Sequence, residues 1–399
     1  MNAQDRTGVT EAFTHRLLEQ RMREPINRRR FLGAALRGAA GLSGVAALAA
    51  CARDSGTAGG GGDRVGGTLT MVIWEGYDDQ EATTPFRDRY DVTVQPTYIG
   101  NNEEIVTKLQ AGGVGSIDLV TPYNGYVEVL HDAGLLEALD YDRLPNSAHY
   151  LDRFDRPEWN TFGGQTYSAP FIWGTYPMMY NARFVKEPPS SWMDVMDPKY
   201  KGKVVMVDDT LGQIMIWAKV LGFDPPVQLT MDQLNEVIDL LIRIKHTQAR
   251  AFAASWGDLA DIMARGDAWV STGGWEAITN FAAAKGADVR WVHPQEGDFA
   301  WTDSWCIPKD APNEPTAYAW IDWILGPEAQ PILARNLSGG VVNEEAIDLL
   351  DEETRSIFPY DDLTTVFEKA PYYPMPPREP GEYATLDDWN TAWERLRAA

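Results

Sequence analysis

Leu69-Thr70-Met71-Val72-Ile73-Trp74 is a run of strand-forming residues that stops at Glu75-Gly76-Tyr77, a turn. A polar, helix-compatible stretch follows, and then the pattern repeats. Val92 to Tyr98 predicts a second strand, and Asn101 to Ala111 a helix with Asn at its start and Ile105 and Leu109 on one face. Ile117 to Thr121 predicts a third strand, followed by the loop 122–125 and a helical run to Ala133. Short strands alternating with helices specify a mostly parallel sheet with helices on its faces, and ligands of such sheets sit beyond the carboxyl ends of the strands. Trp74 to Tyr77 and Pro122 to Tyr126 occupy those ends.

Toward the C-terminus, a second α/β pattern begins after Tyr167-Ser-Ala-Pro-Phe-Ile-Trp-Gly174. Lys203 to Asp208, Trp269 to Thr272 and Asp288 to Val292 predict strands. Thr230-Met-Asp-Gln233 has the spacing of a capping box ahead of an apolar face made of Leu234, Val237, Ile238 and Leu241. A helix over 316–325 stops before Gly326-Pro327, and Leu386, Trp389, Trp393 and Leu396 form one face of a last helix. No internal repeat is present.

Toward the N-terminus, the chain changes character. Residues 1–50 hold eight Arg and four acids and carry +4, while the remainder carries −27 of a net −23. So acidic a body is a poor surface for phosphate backbones and excludes nucleic acid as a partner. Asn27-Arg28-Arg29-Arg30-Phe31-Leu32 leads into 13 uncharged residues, 38–50, a signal-peptide core too short to span a bilayer, which needs about 20 apolar residues. The paired arginines before Phe-Leu resemble the twin-arginine export signal, behind an unusually long n-region. Leu48-Ala49-Ala50-Cys51 resembles a bacterial lipobox, in which Cys51 becomes the lipidated first residue of the mature protein. The alternative is ordinary cleavage beside a chance cysteine. Residues 52–67, with Gly59-Gly60-Gly61-Gly62, then predict a random-coil tether of roughly 20 Å reach; the run lacks the strand, the Gly-Lys-Ser/Thr end and the helix of a phosphate loop.

The residues of catalysis are sparse. Five histidines lie scattered without metal-ligand spacing, and no Gly-x-Ser-x-Gly elbow occurs, so no metal and no cofactor is expected. Fifteen tryptophans are more informative, several beside an acid at a strand end or turn: Trp74-Glu75, Trp275-Glu276 and Trp301-Thr302-Asp303. A ring face attracts an ammonium by about 0.5–2 kcal/mol and a carboxylate supplies the counter-charge, so such pairs suit an organic cation. Adjacent Trp and acid also arise by chance in an acidic, Trp-rich chain.

From about Leu69 to the C-terminus the sequence resembles the extracytoplasmic spermidine/putrescine-binding proteins of ABC transporters. The segments that carry the likeness are Trp74-x-x-Tyr77, Ile117-Asp-Leu-Val-x-Pro122, Tyr167-Ser-x-Pro-x-Ile-Trp-Gly174, Ser191-Trp192 through Pro198-x-Tyr-Lys-Gly202 to Asp208-Asp209, Pro294-x-Glu-Gly297, and Trp301-x-Asp303-Ser304. The resemblance implies an α/β, two-lobed type II periplasmic-binding-protein fold, each lobe a mixed sheet flanked by helices, with interlobe crossovers near Trp173 and near Trp301–Ser304. It places 68–172 with about 303–341 in the first lobe, and 173–302 with about 342–399 in the second.

The resemblance further implies a polyamine or related organic cation held in the cleft by Trp74, Tyr77, Asp209, Trp301 and Asp303, with Glu75 and Tyr123 in the same loops. The chain departs from the family at Gly212, where a second acid is expected, and at Gly125, Gly273 and Gly339, where cleft aromatics are expected; each Gly is expected to enlarge the cleft. Trp275 and Glu276 are candidate replacements for the missing aromatic and acid. The reading is then a monomeric, lipid-anchored extracytoplasmic receptor without turnover, delivering its ligand to an ABC permease. The alternatives are the same fold for another solute, a sensory partner, or a cell-surface hydrolase working through paired acids such as Glu75 and Asp303. Cys306 reads as a small buried hydrophobe without a redox role.

Overall fold

The strand Gly67–Ile73 (β1) lies between Val92–Tyr98 (β2) and Leu119–Val120 (β3), parallel to both, with Ile73 opposite Tyr98 and Met71 opposite Leu119. The computed structural model describes residues 64–399, so the leader, Cys51 and the Gly59–Gly62 run lie outside the described residues. Short as β3 is, bonds from Asp118 N to Thr70 O and from Thr121 N to Val72 O continue its pairing at both ends. Cys306 exchanges two backbone bonds with Val120 and adds an antiparallel edge, so the first sheet is mixed. Its side chain is buried in a small apolar cluster with Val72 and Val120.

Helices cover this sheet as the apolar periodicity requires. Gln80–Tyr90 is capped by Asp79, whose carboxylate accepts from Ala82 N, and it buries Phe86. The helix expected over 101–111 is regular only over Glu103–Lys108 and then widens into a π turn, Leu109–Gly113, before the positive-φ Gly115 and β3.

After the short hairpin of Thr161–Phe162 (β4) and Gln165–Thr166 (β5), Ala169–Thr175 (β6) leads into the second sheet, with all seven residues buried. That sheet comprises Met178–Asn181 (β7), Val204–Val207 (β8), Ala249–Ala253 (β9), Val270–Ser271 (β10) and Val289–Val292 (β11), in the order β11-β7-β10-β8-β9. Strand β8 is parallel to β9 and β10, while β7 is antiparallel to β10 and β11. Ala300–Trp305 (β12) returns antiparallel to β6, with Trp301 opposite Gly174, Thr302 opposite Trp173, and an irregularity between Asp303 and Ser304. Both crossovers expected near these residues are therefore strands, and they pair with each other.

The capping box at Thr230 forms: Thr230 N donates to Gln233 Oε1 and Gln233 N to Thr230 Oγ1, opening the helix Met231–Thr247. All four residues expected on its apolar face are buried. The last helix, Leu386–Ala398, buries Trp389, Trp393 and Leu396 and packs on Met231–Thr247 and Thr210–Val220. Residues 342–372, grouped with the second lobe from sequence, line one groove with Tyr180 and Trp291 of the second sheet and also contact 150–154 and Trp173. Leu151 N donates to Val342 O, Phe358 and Phe367 pack on Trp173, and the Arg153 guanidinium lies over Phe367 and Tyr372.

Candidate functional site

A cavity of about 100 Å³ opens between the two sheets, and its walls come from the carboxyl ends of strands. Trp74 follows β1, Tyr123 follows β3, Asp208 and Asp209 follow β8, Ser255 and Trp256 follow β9, and Gly274 and Trp275 follow β10, while Trp301 and Asp303 belong to β12. Strand ends collect there because parallel strands all point their carboxyl ends the same way.

Aromatic rings make most of the wall. Trp275 meets Trp301 edge-on at 5.9 Å and Tyr77 edge-on at 6.5 Å, and Tyr176 stacks on Phe299 at 4.8 Å. The ring nitrogens of the flanking tryptophans are tied to backbone, Trp301 Nε1 to Thr175 O and Trp74 Nε1 to Thr121 O, which fixes the planes of the rings. Rings so anchored present faces and edges, a surface that suits methylenes and cations.

Four carboxylates line the same space: Glu103, Asp208, Asp209 and Asp303. Asp303 is 6% exposed and accepts the Tyr77 hydroxyl; burial pushes its carboxyl up to about 7, against the opposing pull of that bond. Asp209 caps the helix Thr210–Val220, with Gly212 N donating to its Oδ1, and burial raises it to about 6. Glu103 accepts the Tyr126 hydroxyl at 2.6 Å. Burial also drives the Tyr77 and Tyr126 phenols well above the usual range, so both remain donors at neutral pH. Among the described residues the buried Tyr123 hydroxyl has no hydrogen-bond partner, leaving an acceptor and a donor free at the wall.

Of the nine candidates from sequence, the structure brings Trp74, Tyr77, Tyr123, Asp209, Trp275, Trp301 and Asp303 to the cavity and leaves two away from it. Glu75 is exposed and outside the cavity lining, its carboxylate against Gly257 at the start of the helix Trp256–Ala264. Glu276 is fully buried behind the wall. Its Oε1 accepts from Thr175 N and Thr175 Oγ1, its Oε2 has no partner among the described residues, and burial raises it to about 7.

The four glycines do not enlarge the cleft, which corrects the expectation from sequence. A Cβ on Gly273 would collide with Tyr176 and Gln213, one on Gly212 with Tyr176 and Asp209, one on Gly125 with Met375 and Tyr123, and one on Gly339 with Ile172. Other side chains already fill those volumes. Tyr176, Glu103, Trp256, Phe299 and Arg397 line the cavity without having been expected there, and Tyr126 joins them from the strand-end segment 122–126. The glycines themselves were the available signal for Tyr176, since absent side chains at 212 and 273 leave room for a large ring between them. Among the described residues no group of three or more His, Cys, Asp or Glu is placed to hold a metal ion.

The family of bacterial extracellular solute-binding proteins matches residues 81–355, more than half of the chain. The chain belongs to that family. Its members bind solutes for transporters and are not enzymes. Among curated relatives, this solute-binding protein is 27% identical over 290 residues to the spermidine/putrescine-binding periplasmic protein of Escherichia coli strain K12, covering 72% of this chain and 80% of that one. It is 26% identical over 315 residues to the putrescine-binding periplasmic protein PotF of the same organism, covering 74% and 84%. Among solved structures it is similar to a putative spermidine/putrescine ABC transporter from Listeria monocytogenes, with TM-score 0.72, 23% identity and coverage of 83% of this chain and 98% of that one. It is also similar to the substrate-binding protein PotD of Streptococcus pneumoniae, with TM-score 0.65, 25% identity and coverage of 83% and 97%. The fold is the two-lobed type II periplasmic-binding-protein fold, with mixed sheets flanked by helices and two crossovers between them. Among the described residues no helix is long and apolar enough to cross a membrane.

Proposed function

We propose that this solute-binding protein captures a polyamine or a related organic cation between its lobes and delivers it to an ABC permease. The observation that carries the reading is the cavity itself, in which four carboxylates are interleaved with nine aromatic residues at the meeting of the two sheets. Carboxylates hold ammonium groups and ring faces hold the methylenes between them. Asp303, Tyr77, Trp301, Trp275, Trp74, Tyr123 and Asp209 are the ligand-binding residues of this reading, and Glu103 and Tyr126 join them. The names of the relatives agree with the chemistry. The twin-arginine leader, the lipobox cysteine Cys51 and the tether support export followed by anchoring at the outer face of the membrane, with the receptor acting as a monomer.

Calorimetry of the full chain with putrescine, spermidine and a quaternary ammonium tests the ligand class. Amine heats are expected at micromolar concentration, and Asp303→Asn is expected to weaken them by roughly 100-fold or more, since removing one partner of a buried charge pair costs about 3–5 kcal/mol. No heat from any amine at millimolar concentration would overturn the ligand class. An unchanged affinity in the Asn variant would remove Asp303 from the site.

A further inference from the structure

The helix Leu386–Ala398 sends one side chain to the cavity, and it has the charge that an amine-binding wall should not need. Arg397 lies four residues after Trp393, so the two share a helix face, and both reach Asp208. Trp393 Nε1 donates to Asp208 Oδ1 at 2.8 Å, Arg397 Nε donates to the same oxygen at 2.9 Å, and Arg397 Nη2 stands 2.8 Å from it. The remaining Arg397 nitrogen, Nη1, is taken by Glu394. Asp208 and Arg397 both line the cavity, so one of its four carboxylates already holds a cation of the protein's own.

We infer that Arg397 is a specificity-determining residue that sets how many ammonium groups the cavity accepts. The inference rests on the amine-binding reading and deepens it. With Arg397 in place, Asp208 is neutralised, and the lining carries four carboxylates against one guanidinium, a net of −3 when all are ionised. Glu103, Asp209 and Asp303 remain to meet the ligand. Loss of the guanidinium frees Asp208, directly adjacent to Asp209 in the chain, to accept a further ammonium at that end of the cavity. Removal of Arg397 therefore shifts the preference toward the ligand with more ammonium groups.

The test compares putrescine with spermidine binding to the full chain, read by calorimetry. Arg397→Gln is expected to raise spermidine affinity about tenfold relative to putrescine, the scale of one charge-assisted hydrogen bond gained. Arg397→Lys keeps the charge and should keep the native ratio. Asp208→Asn added to Arg397→Gln should return the ratio to native, because the freed carboxylate is then absent. An unchanged ratio in the Gln variant, a Lys variant that shifts the ratio as Gln does, or a shift that survives in the double variant would each overturn the inference while leaving amine binding intact. Failure of the native protein to bind either amine would overturn the underlying reading, and this inference with it.

Discussion

Asp303 is held between two demands. Burial opposes its charge and raises its carboxyl from the ordinary 3.8 to about 7, yet a cationic ligand needs that charge. Below pH 7 the empty protein must release a proton from Asp303 before an ammonium can pair with it. Amine affinity should therefore fall about tenfold between pH 8 and pH 6, and Asp303→Asn should flatten the profile. A profile that is flat in the native protein would show that Asp303 does not meet the ammonium. At this scale the sequence was informative at Trp301-Thr302-Asp303, where the aromatic and the acid both line the cavity from one strand. It was silent where the wall is assembled from distant segments. Arg397 is separated by 189 residues from the Asp208 it pairs with, and no local pattern announces that meeting. Neighbourhood in the chain also misled. Glu276 follows a cavity tryptophan, but successive residues leave the backbone in different directions, and the carboxylate turned inward to Thr175.

Among the elements, β6 and β12 have the most to bear, because they connect the sheets and carry part of the site. Glu276 braces them from behind, bonded to Thr175 at the end of β6. Its carboxyl ionises near 7 in the folded protein against an ordinary 4.5. Between those values the unfolded chain gives up a proton that the folded one retains, so stability declines as pH rises from 4.5 to 7, by about 3 kcal/mol for this group alone. Asp303 and Asp209 act in the same direction. Urea unfolding at pH 5 and pH 7.5 should show the decline, and Glu276→Gln should reduce it; a variant that declines as steeply as the native protein would count against the bracing role. Elements with chemical punctuation could be read directly: the capping box at Thr230 and the apolar stripe of Leu386–Ala398 both form. Strand β9, Ala249–Ala253, was missed because its sequence, ARAFA, has neither alternation nor many strand formers. It exists through its parallel pairing with β8, a tertiary effect.

Across the whole molecule, loops from the two sheets touch on both sides of the cavity. Gly100 of the first lobe stands against the carbonyl of Ala254, and Glu75 against Gly257, both from the second. Asn280 adds bonds to the carbonyls of Arg335 and Asn336 on the other side. A ligand that touches both lobes stabilises this state over an open one by its difference in affinity for the two. Small-angle scattering should record a smaller radius of gyration when a saturating amine is added, and identical profiles with and without ligand would exclude closure as the signal to a permease. The antiparallel pairing of β6 with β12 gives that motion its character. Two strands bonded along their length behave as one strap, which twists or folds about a single line far more readily than its halves slide past one another. Rotation about that line is then the easiest motion of the lobes, and it changes the separation of surface points far from the strap much more than that of points beside it.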